Sequence, residues 1–180
     1  FSPANGKPII VPSQDIVMGV YFITTAGVDE RGEKGMKHFK DRREAMLAYD
    51  QGKITIHEKI SVRLDGFDLV VDSQNGAAKP LPANKRITTT IGRVLFADIL
   101  SEGMPFYNCA LGKKGCARVI DDAYLYCDRT ATIDLLDRMK EIGFKQSTLA
   151  GLSFGITDLR IPEAKQALLA KVRGDQELLA

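Results

Sequence analysis

The chain has 180 residues, 44% hydrophobic and 27% charged, proportions of an ordinary globular protein with enough apolar material to bury a core. A formal net charge of +2 excludes polyanion binding by bulk electrostatics. No apolar run reaches membrane-spanning length and no charged-then-apolar signal stands at the front. Three widely spaced cysteines make no disulfide framework, so Cys109, Cys116 and Cys127 are expected to be reduced thiols in a cytoplasm-like compartment.

The chain opens, without an initiator Met, on Ser2-Pro3-Ala4-Asn5-Gly6-Lys7-Pro8-Ile9-Ile10-Val11-Pro12. Asn5-Gly6 is a turn dipeptide. Pro8 and Pro12 each push the residue before them out of the α region, which predicts an extended, rigid segment. Ser13-Gln14-Asp15 then leads into the apolar run over 16–23. Two readings fit: a buried element entered through a polar cap, or a polar loop displayed at a site. Thr24 and Thr25 follow, and the polar stretch with Gly27, Gly32 and Gly35 reads as a surface loop. A short helix is predicted over 41–51, because Asp41 and Glu44 have capping-box spacing and Gly52 stands at C′. Ala45, Met46 and Tyr49 would face the core.

Residues 54–64 alternate, with Ile54, Ile56, Ile60, Val62 and Leu64 on one face, which predicts a half-buried strand. Asp65-Gly66 suits a two-residue hairpin turn, pairing Leu64 with Phe67, Val62 with Leu69 and Ile60 with Val71. A loop with Asn75-Gly76, Pro80 and Pro82 spans 73–85. Residues 86–100 read as β-rich, with Gly92 marking a bulge or a close approach. Glu102-Gly103-Met104-Pro105 is a turn. From Lys113 the pattern is helical, with Val119, Ile120, Ala123, Tyr124 and Cys127 on one stripe. A second helix is predicted over 130–142, capped by Thr130, striped by Ile133, Leu136 and Met139, and closed at Gly143-Phe144. After a connection over 149–159, Pro162 would open a last helix bearing Ile161, Ala164, Leu168 and Val172. Strands early and helices late predict an α+β body, a strand-rich domain followed by a helical segment.

The chemistry-bearing residues form no self-contained catalytic set. Cys109-x6-Cys116-x10-Cys127 lacks the close ligand pair that a tetrahedral zinc site needs, and neither histidine lies near it in sequence. His57 falls on the polar face of its strand and His38 in a charged loop. Gly112-Lys113-Lys114-Gly115 precedes a helix but lacks the phosphate-loop pattern. Asp121-Asp122 reads as a solvated helix face, and no acidic ring for magnesium appears. An enzyme built on Cys116 or Cys127 would need a low-pKa thiol.

The run from Ser2 to Gly19 resembles the start of the pore region of the bacterial RNA polymerase β′ subunit. Further stretches follow in that family's order. Glu44-Ala45 through Ala48-Tyr49, with Gly52-Lys53 and His57, resembles its helix–strand unit. Thr89-Thr90-Ile91-Gly92-Arg93-Val94 resembles its Thr-Thr-Val-Gly-Arg motif. Gly143-Phe144 through Ser153-Phe154-Gly155-Ile156-Thr157-Asp158-Leu159-Arg160-Ile161-Pro162-Glu163 resembles the approach to the funnel and rim helices. The chain departs from the family at Phe1, where Leu is usual, at Thr157, where Asp is frequent, and in its own loop between Phe67 and Arg86.

The resemblance implies a piece of β′, with the pore domain over 1–128 and the start of the funnel over 129–180. The catalytic aspartates of the family would lie N-terminal to this chain, so magnesium would belong to the parent enzyme and no cofactor to this chain. The segment would line the secondary channel through which nucleoside triphosphates enter and which receives the RNA 3′ end on backtracking. Asn5, Ser13, Gln14 and Asp15 are the candidate pore-lining residues, with a supporting loop contact as the other reading of each. Implied partners are the rest of β′, the β, α and ω subunits, template DNA and secondary-channel transcription factors, in the bacterial cytoplasm, with no membrane. The rival reading is a free-standing interaction module that binds a polymerase.

Overall fold

The structure is a computed structural model that describes residues 2–159 except 5, 7, 28–34, 152 and 154, together with 162, 164, 165 and 169. The fold is α+β. Helix α1 (Asp15–Thr24) is its hub: an uninterrupted apolar run with no proline, burying Gly19, Val20, Ile23 and Thr24. Strand β1 (Lys37–Phe39) and helix α2 (Arg42–Asp50) follow. Asp41 caps α2 by accepting from the Glu44 N–H at 2.9 Å, and Gly52 at φ +69° ends it, with its N–H on the Tyr49 carbonyl. The Asp41 cap and the C′ glycine are therefore both observed, but the capping box is only half formed: the Glu44 carboxylate accepts from the Lys40 N–H rather than from that of Asp41. β1 went unpredicted because three residues, Lys-His-Phe, show no alternation to read.

Strand β2 (Lys59–Arg63) lies between β1, parallel to it, and β5 (Arg86–Thr90), antiparallel. The predicted pairing of 60–64 with 67–71 does not form. Both edges of β2 are occupied, and the Leu64 N–H bonds to the Lys85 carbonyl rather than closing a two-residue turn. The turn chemistry was sound, since Gly66 has φ +91°, but β3 (Leu69–Val71) joins another sheet. It pairs antiparallel with β4 (Lys79–Pro80) and parallel with β6 (Phe106–Tyr107). Residues 54–58 precede β2 as turn and coil, while Ile60, Val62 and Leu64 are buried as the alternation predicts.

The β-rich reading of 86–100 is half corrected. β5 ends at Thr90, whose side chain accepts from the Arg93 N–H and starts helix α3 (Ile91–Ala97). β-branched residues misled here because tertiary packing outweighs propensity in so short a helix. Gly92 is a close approach, not a bulge: a Cβ there would sit 1.9 Å from the Ile23 carbonyl oxygen of α1.

Helix α4 (Lys113–Tyr126) runs where the pattern predicts. Helix α5 (Arg129–Ala150) is longer than predicted and differently capped. Asp128 accepts from the Ala131 N–H at 2.6 Å, displacing Thr130 as cap. The chain passes through Gly143 as helix and closes at Gly151, which has φ +56°. Gly143 instead serves the crossing of α5 over α1: a Cβ on Gly19 would lie 1.8 Å from its carbonyl oxygen. The predicted last helix falls largely outside the described residues.

Two apolar clusters fill the interior. One joins α1, α4 and α5 through Val20, Leu111, Val119, Ile120, Leu135 and Met139. The other joins the first sheet to α2 and α3 through Ile60, Val62, Leu64, Ile91 and Val94. Cys116 and Tyr107 sit in the former, and burial pushes the Cys116 thiol up to about 12. The Tyr107 phenol also rises, through burial first and then the Asp122 carboxylate, to which it donates at 2.7 Å. Both groups ionise in the unfolded chain at lower pH than in the fold. The fold therefore retains more protons above pH 9, and stability falls as pH rises from about 9 to 12. Urea midpoints measured across that range should decline, and Cys116→Ala should flatten the early part of the decline.

Candidate functional site

The opening segment folds back on itself at Ser2, whose carbonyl accepts from the Gly6 N–H at 2.8 Å, with Gly6 at φ +68° as the turn dipeptide requires. Pro12 is buried, while Ser13, Gln14 and Asp15 stand exposed at the start of α1. The structure thus brings these three together at one helix terminus; Asn5 lies outside the described residues.

Gln14 has φ 50° and ψ −124°, and the Ile16 N–H meets the Ser13 carbonyl at 3.3 Å. That is the first central position of a type II′ turn, which glycine takes by default. A glutamine there carries backbone strain on the order of 1–3 kcal/mol, a cost that persists only where the surroundings impose it. Asp15 adds a carboxylate to the first turn, where the helix dipole favours it.

Helix α1 is anchored at its other end. The Thr24 hydroxyl donates to the Val20 carbonyl at 2.7 Å and accepts the Leu111 N–H at 2.9 Å. Arg93 Nε donates to the Thr24 carbonyl at 2.8 Å and Arg93 Nη1 to Asn108 Oδ1 at 3.0 Å. Asn108 in turn donates to the Thr88 carbonyl at 3.1 Å. A guanidinium at a helix C-terminus meets its orphan carbonyls and negative dipole end. His57 adds a contact at 2.9 Å between Nδ1 and the Thr25 carbonyl, and its ring stands edge-on to Phe22. Sequence reasoning quoted Arg93 within a motif but gave it no role. The signal was available only as an Arg one turn into an apolar segment, and its target, Thr24, is 69 residues away.

Beside the polar cluster, residues 8–13 and Ile16 form an apolar groove of about 480 Å³ against Ile133, Leu136, Asp137 and Lys140 of α5. The other candidates resolve into structure. Burial raises the pKa of all three thiols, opposite to the lowered pKa that an enzyme built on Cys116 or Cys127 would need. Asp122, read as solvated, is half-buried and accepts from Tyr107 and from Arg118 Nε at 3.3 Å. Arg118 also donates to the carbonyls of Ser73, Gln74 and Gly76, tying the 73–76 loop to α4. Gln74 Nε2 donates to the Ala110 carbonyl, next to the Gly112-Lys113 stretch. Among the described residues no group of three or more His, Cys, Asp or Glu side chains is placed to hold a metal ion, and no helix is long and apolar enough to cross a membrane.

Residues 1–159 match the family model described as RNA polymerase Rpb1, domain 3. The chain is 40% identical over 168 residues to the DNA-directed RNA polymerase subunit β′ of Aquifex aeolicus, covering 93% of this chain and 10% of that protein. It is 44% identical over 166 residues to the β′ subunit of Rhodopirellula baltica, covering 92% and 11%. To that of Methylobacillus flagellatus it is 39% identical over 179 residues, covering 97% and 12%. The chain therefore spans only 10–12% of the length of these relatives.

Proposed function

This chain belongs to the RNA polymerase β′ family, as its domain 3 match and its relatives establish, and from that premise we propose that it lines the secondary channel of a multisubunit DNA-directed RNA polymerase. Nucleoside triphosphates would enter past it, and the RNA 3′ end would enter it on backtracking. In this reading 1–128 is the pore domain and 129–180 the start of the funnel. The rest of β′, the β, α and ω subunits and template DNA are its partners, secondary-channel transcription factors dock nearby, and the complex works in the bacterial cytoplasm. The resemblance puts the family's catalytic aspartates outside this chain, so no step of nucleotide addition is assigned to its residues, and the isolated chain is expected to be inert in RNA extension.

The observation that supports this reading is Gln14, exposed and held at positive φ at the start of a helix pinned at its far end. If residue 14 were only a link, glycine would suit it better. Its amide both donates and accepts, as does the Ser13 hydroxyl, so the two can orient a passing triphosphate or a neighbouring loop. The Asp15 carboxylate only accepts, so it holds an N–H or a cation rather than a phosphate. Asn5 is assigned to the same polar path.

Gln14→Gly separates the two roles of this residue. In the isolated chain it should raise unfolding free energy by about 1 kcal/mol, strain relief exceeding the extra chain entropy of glycine. In the assembled polymerase the same change should slow nucleotide addition several-fold at limiting triphosphate. Wild-type elongation at all triphosphate concentrations would remove Gln14 from the substrate path.

A further inference from the structure

Ile9, Ile10 and Val11 are three consecutive apolar residues, 63%, 70% and 36% exposed. They belong to no helix or strand, and no backbone hydrogen bond joins them to another described segment. Exposed apolar side chains and unpaired backbone groups in one short run are the two properties of a vacant sheet edge. Together with Pro8 and Pro12 this run forms one wall of the apolar groove whose other wall includes Ile133 and Leu136 of α5. The groove's charged pair, Lys140 and Asp137, is 2.9 Å apart and self-neutralising. The groove thus offers an occupant apolar contact and backbone pairing, not charge.

We propose that residues 9–11 are a docking edge for one further β-strand, supplied by a segment of the parent subunit outside this chain. The proposal rests on the reading above that the chain works inside a longer subunit. Its ground is that about nine-tenths of the length of the matched relatives lies outside the aligned region, while among the described residues this run has no backbone partner and its side chains are only partly covered. The prolines then fix which edge is used. In a paired strand, successive N–H groups point to opposite edges. Residues 8, 10 and 12 share one edge, and two of these three are prolines with no N–H to give. Ile9 and Val11 share the other, with both donors and both acceptors intact. The incoming strand pairs with the Ile9/Val11 edge, over a ladder that cannot slide past either proline, while its inward side chains fill the groove.

Amide hydrogen exchange on the full-length subunit in its assembled enzyme tests this, with the isolated 180-residue chain as reference. The Ile9 and Val11 amides should exchange at least tenfold more slowly in the assembly than in the isolated chain, and Ile10 should change far less. Equal exchange at all three positions, or protection of Ile10 alone, overturns the proposal. Protection in the isolated chain that grows with its concentration also overturns it, in favour of a second copy as occupant. Val11→Pro and Ile10→Pro give a second measurement, since both keep the backbone extended and each deletes one donor. Val11→Pro should lower the yield of assembled enzyme several-fold, and Ile10→Pro should leave it near wild type; equal yields count against strand addition. These readouts are independent of nucleotide addition, so a failure of the channel-lining reading at Gln14 leaves them standing.

Discussion

Gly143→Ala is expected to destabilise the chain by about 3 kcal/mol or more, at the upper end of what an inserted methyl group costs a packed interior. The added Cβ would lie 2.8 Å from both the Ile16 carbonyl oxygen and Ile16 Cγ2, and 2.9 Å from Ile16 Cα. Two of those three neighbours are backbone atoms of a helix, which cannot rotate away as a side-chain tip can. Gly19→Ala meets the same crossing from the other side, 1.8 Å from the Gly143 carbonyl oxygen and 2.7 Å from its carbonyl carbon. Either methyl group forces α1 and α5 apart and opens the cluster of Val20, Leu135 and Met139 between them. For a chain of this size the cost corresponds to a fall in Tm of roughly 6–12 °C, at about 2–4 °C per kcal/mol. Thermal denaturation of each variant beside Gly112→Ser gives the contrast. At Gly112 the nearest atom to an added Cβ is 3.8 Å away, and a serine can cap α4, so its Tm should hold or rise slightly. The two clashing substitutions should also be far from additive, because one separation of the helices relieves both.

The same glycine shows where sequence reading stops. Gly143-Phe144 after an amphipathic stripe reads as a helix C-terminus, and nothing within ten residues contradicts it. The opposing fact is Gly19, 124 positions away, and only the crossing makes a helical glycine preferable to alanine. The Asp65-Gly66 hairpin failed in a related way. Its local pattern was consistent, but β1 and β5 already held both edges of β2. Local chemistry was legible where it closes locally, as at the Asp41 cap, the Gly52 terminus and the start of α4. In the candidate site, the extended entry and the polar cluster of Ser13, Gln14 and Asp15 were readable because prolines and polar runs act on their immediate neighbours. The strain at Gln14 was not, since no residue type announces a II′ turn when glycine is absent. The anchor at Thr24 was equally hidden, because it is assembled from α1, α3 and the segments at 88, 108 and 111.

That anchor supports the second large effect. Arg93→Met is expected to cost about 2–3 kcal/mol, with most of the loss coming from what it strands rather than from the bond energy itself. Burial lowers the pKa of the guanidinium, while the nearby Cys109 thiol opposes that shift; an arginine remains charged throughout the working pH range. Its Nε and Nη1 reach two different acceptors, the Thr24 carbonyl at the end of α1 and the Asn108 side chain. Methionine keeps much of the packing volume but leaves both oxygens without that donor, one of them on a buried residue. Arg93→Lys should recover only part of the loss, because one ammonium cannot reproduce the planar fork that spans the two acceptors. Urea unfolding of the three proteins would rank them wild type, lysine, methionine. A lysine variant as stable as wild type would mean that charge at the helix terminus, rather than bidentate bridging, is what Arg93 supplies. The site offers a second readout. If the anchor at Thr24 is what holds the turn at Gln14, then Arg93→Met should relax that turn, and adding Gln14→Gly should stabilise the Arg93→Met protein less than it stabilises wild type. Equal gains in the two backgrounds would show that the strained turn and the far end of α1 are energetically independent.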